Sequence, residues 1–580
     1  MKILLLLKIV VIVQGFYSPE SFPVNFCEKA DSSKTCPNEI PLFVNKLDSD
    51  QSVIPYEYHD FDFCTTNEED PLAENLGQIL FGGRIRSSPY KINFKEERQC
   101  TILCEKEYKK GDAEHKHRLR FLQQGMKLNY QHHWIIDNMP VSENANPQAI
   151  GATDEDGKII YTYSVYWKNT SMKWSSRWDY LLDSVRYSDI QRFSIRISSM
   201  IVVILSGMIR VILMRTLHRD ITRYNQLENE EDAQEEFGWK LVHGDVFCPP
   251  RSALFLSVFI GTGSQLLCCS FITLAVAFFD FLSPATRGSL INFVFVWYIL
   301  LSIVAGYISA RLYKTMEGLD WKKNALLTAF FVPGILFGMF FINNLVLWFK
   351  GSSAAVPFGT FLILLSILLF VFTPLTFIGA FVGSKTDRMT PSMETSQVPR
   401  QVPKQTHIKL LLGMLLSGIL PFGCIFTQLS FILNSIWAHQ IYYMFGFLSL
   451  VFVLLVIICS ETTVLMTYFY FRSGDYNWWW RSFLTSGLGA AYLFMYCIYY
   501  FTSELTITGT ISTILYFAYT GIFAFLFFLA TGTIGFFATY FFVHKAHASL
   551  TTPSEVQKRA ELVLHCKSAF MSVQPLEEKK

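Results

Sequence analysis

One acidic residue lies deep inside an apolar stretch of this sequence. Glu461 stands between Cys459-Ser460 and Thr462-Thr463, within an apolar run at 441–470. A carboxylate in the middle of a membrane helix costs about 2.5–3.5 kcal/mol on insertion scales, so it should face other helices, protonated or paired. Two interpretations stay open with equal weight. Glu461 is a proton or substrate site, or it is a structural residue held by hydrogen bonds.

Three amides extend this list of candidate intramembrane polar residues. Asn343 and Asn344 lie in the apolar run at 324–348, and Gln428 lies in the run at 409–433. Pro333, Pro374 and Pro421 fall inside such runs and should kink their helices, which frees carbonyl groups. Broken helices can form transport sites, but they are also common in bundles without transport.

Two pairs of glycines have the spacing of a close helix contact. Gly334 and Gly338 form one G-x-x-x-G pair, and Gly379 and Gly383 form another. The missing side chains allow a second helix to approach closely.

Five cysteines precede the first long apolar run, namely Cys27, Cys36, Cys64, Cys100 and Cys104. Behind a secretory signal, such cysteines are expected to form disulfides. Cys100 and Cys104 have a metal-like spacing, but no second pair or flanking histidine accompanies them, so a metal site is disfavoured. The odd number leaves one thiol unpaired, and the pairing stays open.

Other motifs predict no catalytic chemistry. His218-Arg219-Asp220 spells a kinase triplet, but it abuts an apolar run and has no glycine-rich loop. No Ser/His/Asp set, zinc motif or phosphate loop is present, so we predict no enzyme activity, no cofactor and no metal. Asn169-Thr170-Ser171 is a glycosylation sequon, so Asn169 is a predicted glycan site.

The elements that must position these residues are membrane helices. The chain is 51% hydrophobic and only 17% charged, against about 25% charged residues in soluble domains. Nine apolar runs are long enough to span a bilayer, which needs about 20 helical residues. They lie at 193–214, 253–279, 289–309, 324–348, 357–382, 409–433, 441–470, 482–502 and 512–543. The net charge of +2 gives no reason to expect a nucleic-acid partner.

Positive charge is distributed unequally between the two sets of connecting loops. One set contains Arg215, Arg219, Arg223, Lys240, Arg251, Arg311, Lys314, Lys322, Lys323, Lys385, Arg388, Arg400, Lys404, Lys409, Arg472 and Arg481. The alternating set contains Arg287 and Lys350. Because positive loops stay in the cytosol, the first set is predicted to be cytosolic. The N-terminal domain is then lumenal and the C-terminus cytosolic, as nine spans after a cleaved signal also require.

The predicted domains are a signal peptide at 1–15, a lumenal β-rich domain at 16–191, the nine-helix membrane domain at 192–543 and a cytosolic tail at 544–580. Lys8 interrupts the apolar core of the signal, so an uncleaved anchor is the alternative for its first segment. Residues 160–167 alternate in a period near two and predict a strand, whereas the basic stretch 106–124 predicts a helix. The aromatic run Trp478-Trp479-Trp480 before Arg481 is typical of an anchor at the membrane surface.

Three segments resemble a known family. Arg215 to Asp220, Asp232 to Lys240 and the His243-Gly244-Asp245 turn resemble the nonaspanins, the transmembrane 9 superfamily, and most of all its member 2 type. The resemblance covers nearly the whole chain. It implies a protein of Golgi and endosomal membranes that sorts other membrane proteins, including those with glycine-rich transmembrane segments.

The resemblance also implies partners, namely membrane lipids and the transmembrane segments of cargo proteins. Nonaspanins end on a lysine signal for the COPI coat, whereas here a polar tail from Ala546 to Lys580 takes its place. COPI binding is therefore doubtful, and we expect some leakage to the plasma membrane. The alternative function is a small-molecule transporter or channel that uses Glu461.

Overall fold

The computed structural model describes residues 26–27, 36–49, 51–66, 75–83, 85–109, 112–136, 139–141, 157–169, 188–227, 245–279, 282, 288–388, 407–437 and 445–548. The predicted signal peptide and nearly all of the predicted tail lie outside these ranges. A small β-containing domain stands before a large helical bundle. This arrangement confirms the predicted fold class.

The β-domain is built from antiparallel pairs. Its strands are β1 (Glu39–Ile40), β2 (Leu42–Ser49), β3 (Ser52–Tyr56), β4 (Arg86–Ser87), β5 (Ile92–Asn93), β6 (Arg98–Tyr108), β7 (Tyr130–Ile136), β8 (Met139–Val141) and β9 (Gly157–Val165). The strand β2 is central and pairs with β3, β4 and β7, while β8 extends the sheet beyond β7. Two further pairs are β6 with β9 and β1 with β5.

The described part of this domain also contains two α-helices, α1 (Leu76–Phe81) and α2 (Ala113–Lys127). Asn75 begins α1 by accepting a hydrogen bond from the amide of Gln78. The helix predicted over 106–124 was wrong at its start, because residues 106–108 belong to β6 and α2 begins at Ala113. Asp112 caps α2, accepting from the amide of Glu114.

The bundle follows in twelve helical pieces. They are α3 (Ser188–Leu227), α4 (Ala253–Phe278), α5 (Ser289–Leu300), α6 (Ser302–Thr315), α7 (Trp321–Phe349), α8 (Phe358–Ile367), α9 (Thr373–Lys385), α10 (His407–Trp437), α11 (Phe445–Arg472), α12 (Trp478–Gly487), α13 (Gly489–Ser503) and α14 (Thr510–Ala548). Three consecutive pairs, α5 with α6, α8 with α9 and α12 with α13, each form one broken span.

Eight stretches of the described chain are long and apolar enough to cross a membrane. The ninth predicted span, 409–433, lies on α10, of which Gly413–Phe426 is a shorter apolar segment among the described side chains. The span predicted at 357–382 is interrupted by a π-helical turn, Leu368–Phe372, just before Pro374. Proline has no amide hydrogen to give to the carbonyl four residues earlier, which favours this break.

The β-domain packs on one end of the bundle. Ile54 of β3 lies in an apolar cluster with Leu347 of α7 and Leu515 of α14. The Oγ of Ser352 donates to the carbonyl of Pro55 at 2.7 Å, and the amide of Thr508 donates to the carbonyl of Gln51 at 2.9 Å. Gly82 of the β-domain approaches Ala354 so closely that an added Cβ would lie 2.6 Å from its Cα. The domain is therefore seated directly on the helix ends.

Candidate functional site

Glu461 lies between two membrane helices. It is half-buried on α11, and its carboxylate accepts a hydrogen bond from the Oγ of Ser206 on α3 at 2.7 Å. The contact places the carboxyl group on the side of α11 that faces α3. Ser206 carried no signal in the sequence as a partner of Glu461.

Gln428 makes a second contact with the same helix. Its side-chain amide on α10 donates to the Oγ of Ser198 on α3, and both residues are only 1% exposed. Between the two polar contacts, Val202 of α3 packs on Cys424 and Ile458. The polar residues Gln428 and Glu461 therefore fasten α3, the first helix of the bundle, to α10 and α11.

The two neighbouring asparagines of α7 have different surroundings. Asn344 bonds to the backbone of Val356 twice: its Oδ1 accepts from the amide at 2.7 Å and its Nδ2 donates to the carbonyl at 3.3 Å. This pair holds the connection between α7 and α8, so Asn344 has a structural role. The side chain of Asn343 is 5% exposed, and its Nδ2 has no hydrogen-bond partner within the described chain.

These four residues do not form one site. Glu461 and Gln428 both contact α3, whereas Asn343 and Asn344 lie on α7, near the helix ends that carry the β-domain. A separate buried network, which the sequence did not suggest, joins α4, α6 and α7. There the Oγ of Ser257 donates to Asn324, whose Nδ2 donates to the Oγ of Ser309, each at 2.9 Å.

The two G-x-x-x-G pairs have opposite surroundings. On α9, an added Cβ at Gly379 would collide with the carbonyl oxygen of Ile303, and one at Gly383 with that of Tyr307. Helix α6 therefore occupies the space beside this pair. On α7, an added Cβ at Gly334 or Gly338 would meet no atom of the described residues within 4 Å. We call Gly334 and Gly338 the open glycine pair.

The chain matches the family model described as Endomembrane protein 70 over residues 55–153 and 142–510. Transmembrane 9 superfamily member 2 of Pongo abelii is 47% identical over 92% of this chain and 94% of its own length. The human protein of the same name is 46% identical over the same shares. Member 10 of Arabidopsis thaliana is 36% identical over 93% of this chain and 96% of its own length.

The chain belongs to the transmembrane 9 superfamily. It is therefore a multi-pass membrane protein, and its nonaspanin resemblance is confirmed. No solved structure matches it.

The five cysteines that precede the bundle of this nonaspanin form two disulfides and leave one free thiol. Cys27 bonds to Cys36 and Cys64 bonds to Cys104. Cys100 is free and exposed on β6. Because the sulfur of Cys104 is bonded to Cys64, Cys100 and Cys104 cannot act together as a pair of metal ligands. Across the described part of the chain, no group of three or more His, Cys, Asp and Glu side chains is placed to hold a metal ion.

Two remaining predictions concern surface positions. Asn169 is exposed four residues after β9 ends, whereas the rest of its sequon lies outside the described ranges. The interpretation of Trp478-Trp479-Trp480 as a surface anchor was wrong for the first two residues, which are 0% and 3% exposed. Their indole N–H groups donate to the carbonyls of Val246 and Cys248 at 2.8 and 3.0 Å. They fix the segment that leads into α4.

Proposed function

We propose that this protein is a sorting factor of Golgi and endosomal membranes that binds the transmembrane segments of other membrane proteins on the open glycine pair. The role is not enzymatic. The single observation that carries the proposal is that α7 leaves Gly334 and Gly338 uncovered while α9 has its equivalent pair filled by α6. The pair on α9 thus packs against a helix of the same chain, whereas the pair on α7 is free to contact another molecule.

The surface around the open glycine pair suits a helix as partner. Ile335 and Ile342 are 39% and 62% exposed, and at helical spacing they fall on the same side of α7 as the two glycines. Lipid tails are as apolar as these side chains, so association in a bilayer depends on close packing of backbones, which glycine permits. A cargo segment with small residues of its own would pack best here.

The proposed orientation has the β-domain in the lumen and the C-terminus in the cytosol. The β-domain packs at the helix ends that carry few basic residues, where Lys350 follows α7. The numerous lysines and arginines lie at or near the opposite helix ends, including Lys314 in the last turn of α6 and Lys322 in the first turn of α7. This distribution supports cytosolic exposure of the opposite ends. In this orientation Asn169 would be glycosylated.

Cargo binding is tested by filling the open glycine pair. The double substitution Gly334→Leu and Gly338→Leu should leave the fold intact, because each added side chain meets open space. It should reduce crosslinking to cargo transmembrane segments at least tenfold, the factor that corresponds to about 1.4 kcal/mol of lost packing. The measurement is quantitative photo-crosslinking from α7 in cells. Fluorescence microscopy then determines in which compartment each captured protein is found.

Gly423→Leu on α10 is the matched control, because a Cβ at Gly423 also meets nothing within 4 Å. It should leave crosslinking from α7 unchanged. Wild-type capture by the double variant at equal abundance would refute the open glycine pair as the cargo surface. Equal losses in the control would show that the effect is general.

A second candidate function is transport, and the observation in its favour is Glu461, which is half-buried and bonded to one serine on a neighbouring helix. Glu461→Gln keeps the acceptor for Ser206 but cannot ionise. If transport depends on protonation, this variant should keep wild-type abundance and lose function in a complementation assay. Ser206→Ala is the control that removes the hydrogen bond and keeps the acid. Full function of Glu461→Gln would leave Glu461 a structural role.

A further inference from the structure

A cavity of about 290 Å³ lies between the β-domain and the bundle. One wall comes from β3, α2 and β7, and the other comes from the end of α7 and the start of α14. The volume is at the small end of ligand pockets, which are about 300–1,000 Å³. It suits a head group or small metabolite rather than a whole lipid.

The floor of the cavity is aromatic. The ring of Phe121 packs against Tyr56 and Phe61, with centroid distances of 5.2 and 4.9 Å. Gly125 allows this packing, because a Cβ there would collide with the ring of Phe61. The rings hold one another in place, so the floor is rigid.

The rim is polar and carries positive charge. Of the described residues that line the cavity, Lys350 is the one with a charge, and none of them is a carboxylate. The hydroxyls of Ser52 and Ser512 face each other at 3.3 Å across the two walls. Ser512 belongs to the first turn of α14, whose positive dipole end adds to the charge of Lys350.

The level of the cavity is that of lipid head groups. Phe349, directly before Lys350, is 83% exposed, and Phe358 at the start of α8 is 61% exposed. Trp348, two residues before Lys350, is also partly exposed at 36%, and tryptophan is enriched at the boundary between hydrocarbon and water. A lysine at this boundary can make a charge-assisted contact with a lipid phosphate.

We propose that this interdomain cavity binds a ligand whose phosphate group carries a net negative charge, with Lys350 as its cationic contact and the serine hydroxyls as further donors. The head group of an anionic phospholipid and a soluble phosphate monoester share this chemistry, whereas a zwitterionic phospholipid does not. Because the ligand contacts both walls, its binding would stabilise the seating of the β-domain on the bundle. The proposal does not depend on cargo binding, because the open glycine pair lies elsewhere on α7.

The test uses full-length protein in neutral detergent, with three probes: phosphatidylglycerol, phosphatidylcholine and glycerol 3-phosphate. Binding is measured from the rise in thermal midpoint with concentration, and bound lipid is counted by native mass spectrometry. Lys350→Gln should weaken binding of a phosphate probe at least tenfold, because it removes a charge-assisted contact. Gln124→Trp, a change on the exposed face of α2 at the cavity, should weaken binding by obstruction.

Lys322→Gln is the matched control, since it makes the same charge change at the exposed opposite end of α7. It should bind as the wild type does. Stabilisation by phosphatidylglycerol alone would identify the lipid as the source, and stabilisation by glycerol 3-phosphate would identify a soluble ligand. The proposal is overturned if phosphatidylcholine binds equally well, if both cavity variants bind normally, or if Lys322→Gln loses as much affinity as Lys350→Gln.

Discussion

Replacing Gly379 with leucine is expected to leave little folded protein. At this position α9 touches the backbone of α6, and an added Cβ would run into the carbonyl oxygen of Ile303. The contact is reciprocal, because a Cβ on Gly306 of α6 would meet the carbonyl oxygen of Thr376. Backbone atoms in a packed helix pair cannot move aside as a flexible side chain can.

The expected loss is at least about 3 kcal/mol, the upper part of the range for overpacked cores. That is a large share of a total stability of about 5–15 kcal/mol. The measurement is size-exclusion chromatography of tagged protein in detergent after graded heating. Gly334→Leu is the control, since it makes the same substitution in the open glycine pair and should melt like the wild type. Equal melting of Gly379→Leu and Gly334→Leu would contradict the close contact between α6 and α9.

Removing the indole of Trp478 is expected to have the next largest effect. Trp478 is fully buried, stacks on Trp479 with a centroid distance of 4.3 Å and lies 5.7 Å from the ring of Phe536 on α14. Its indole N–H group donates a hydrogen bond to the carbonyl of Val246, in the segment before α4. Trp478→Ala should cost about 3–5 kcal/mol, as for other large buried aromatic residues.

Trp478→Phe separates the hydrogen bond from the packing. It keeps a ring in the cluster but leaves the buried carbonyl of Val246 without its donor, at a cost of about 1–3 kcal/mol. Trp480→Phe is the matched control, because Trp480 is only partly buried and water can replace its bond to the carbonyl of Arg251. A thermal melt of the three variants should rank Trp478→Ala lowest and Trp480→Phe near the wild type. A wild-type melt for Trp478→Phe would show that the hydrogen bond contributes nothing.

Both predictions depend on contacts that are distant in sequence. Trp478 and Val246 are separated by 232 positions, and Gly379 and Ile303 belong to different spans. Gly306 and Gly379 lie in the same contact between α6 and α9, so the effects of leucine at these two positions should not be additive.

The sequence by itself determined the class of this protein. Long apolar runs predict membrane helices because a bilayer satisfies no backbone polar group, so each span must bond within itself. The strand predicted at 160–167 exists as β9, although it begins at Gly157 and ends at Val165, and it was predictable because its alternation of residues is local. Family membership followed from contiguous motifs such as Asp232 to Lys240. Each of these signals can be read from neighbouring residues.

Only the tertiary structure decided what the individual residues do. The two G-x-x-x-G pairs are alike in sequence, and the position of α6 alone makes one internal and leaves the other open. Trp478 has the sequence context of a surface anchor, but its indole N–H donates a hydrogen bond to the carbonyl of Val246, which is distant in sequence. The partner of Glu461, the serine on α3, and the cavity beside Lys350 likewise arise where separate segments meet. The physical reason is that helix packing is decided by which surfaces meet, and local periodicity does not record that choice.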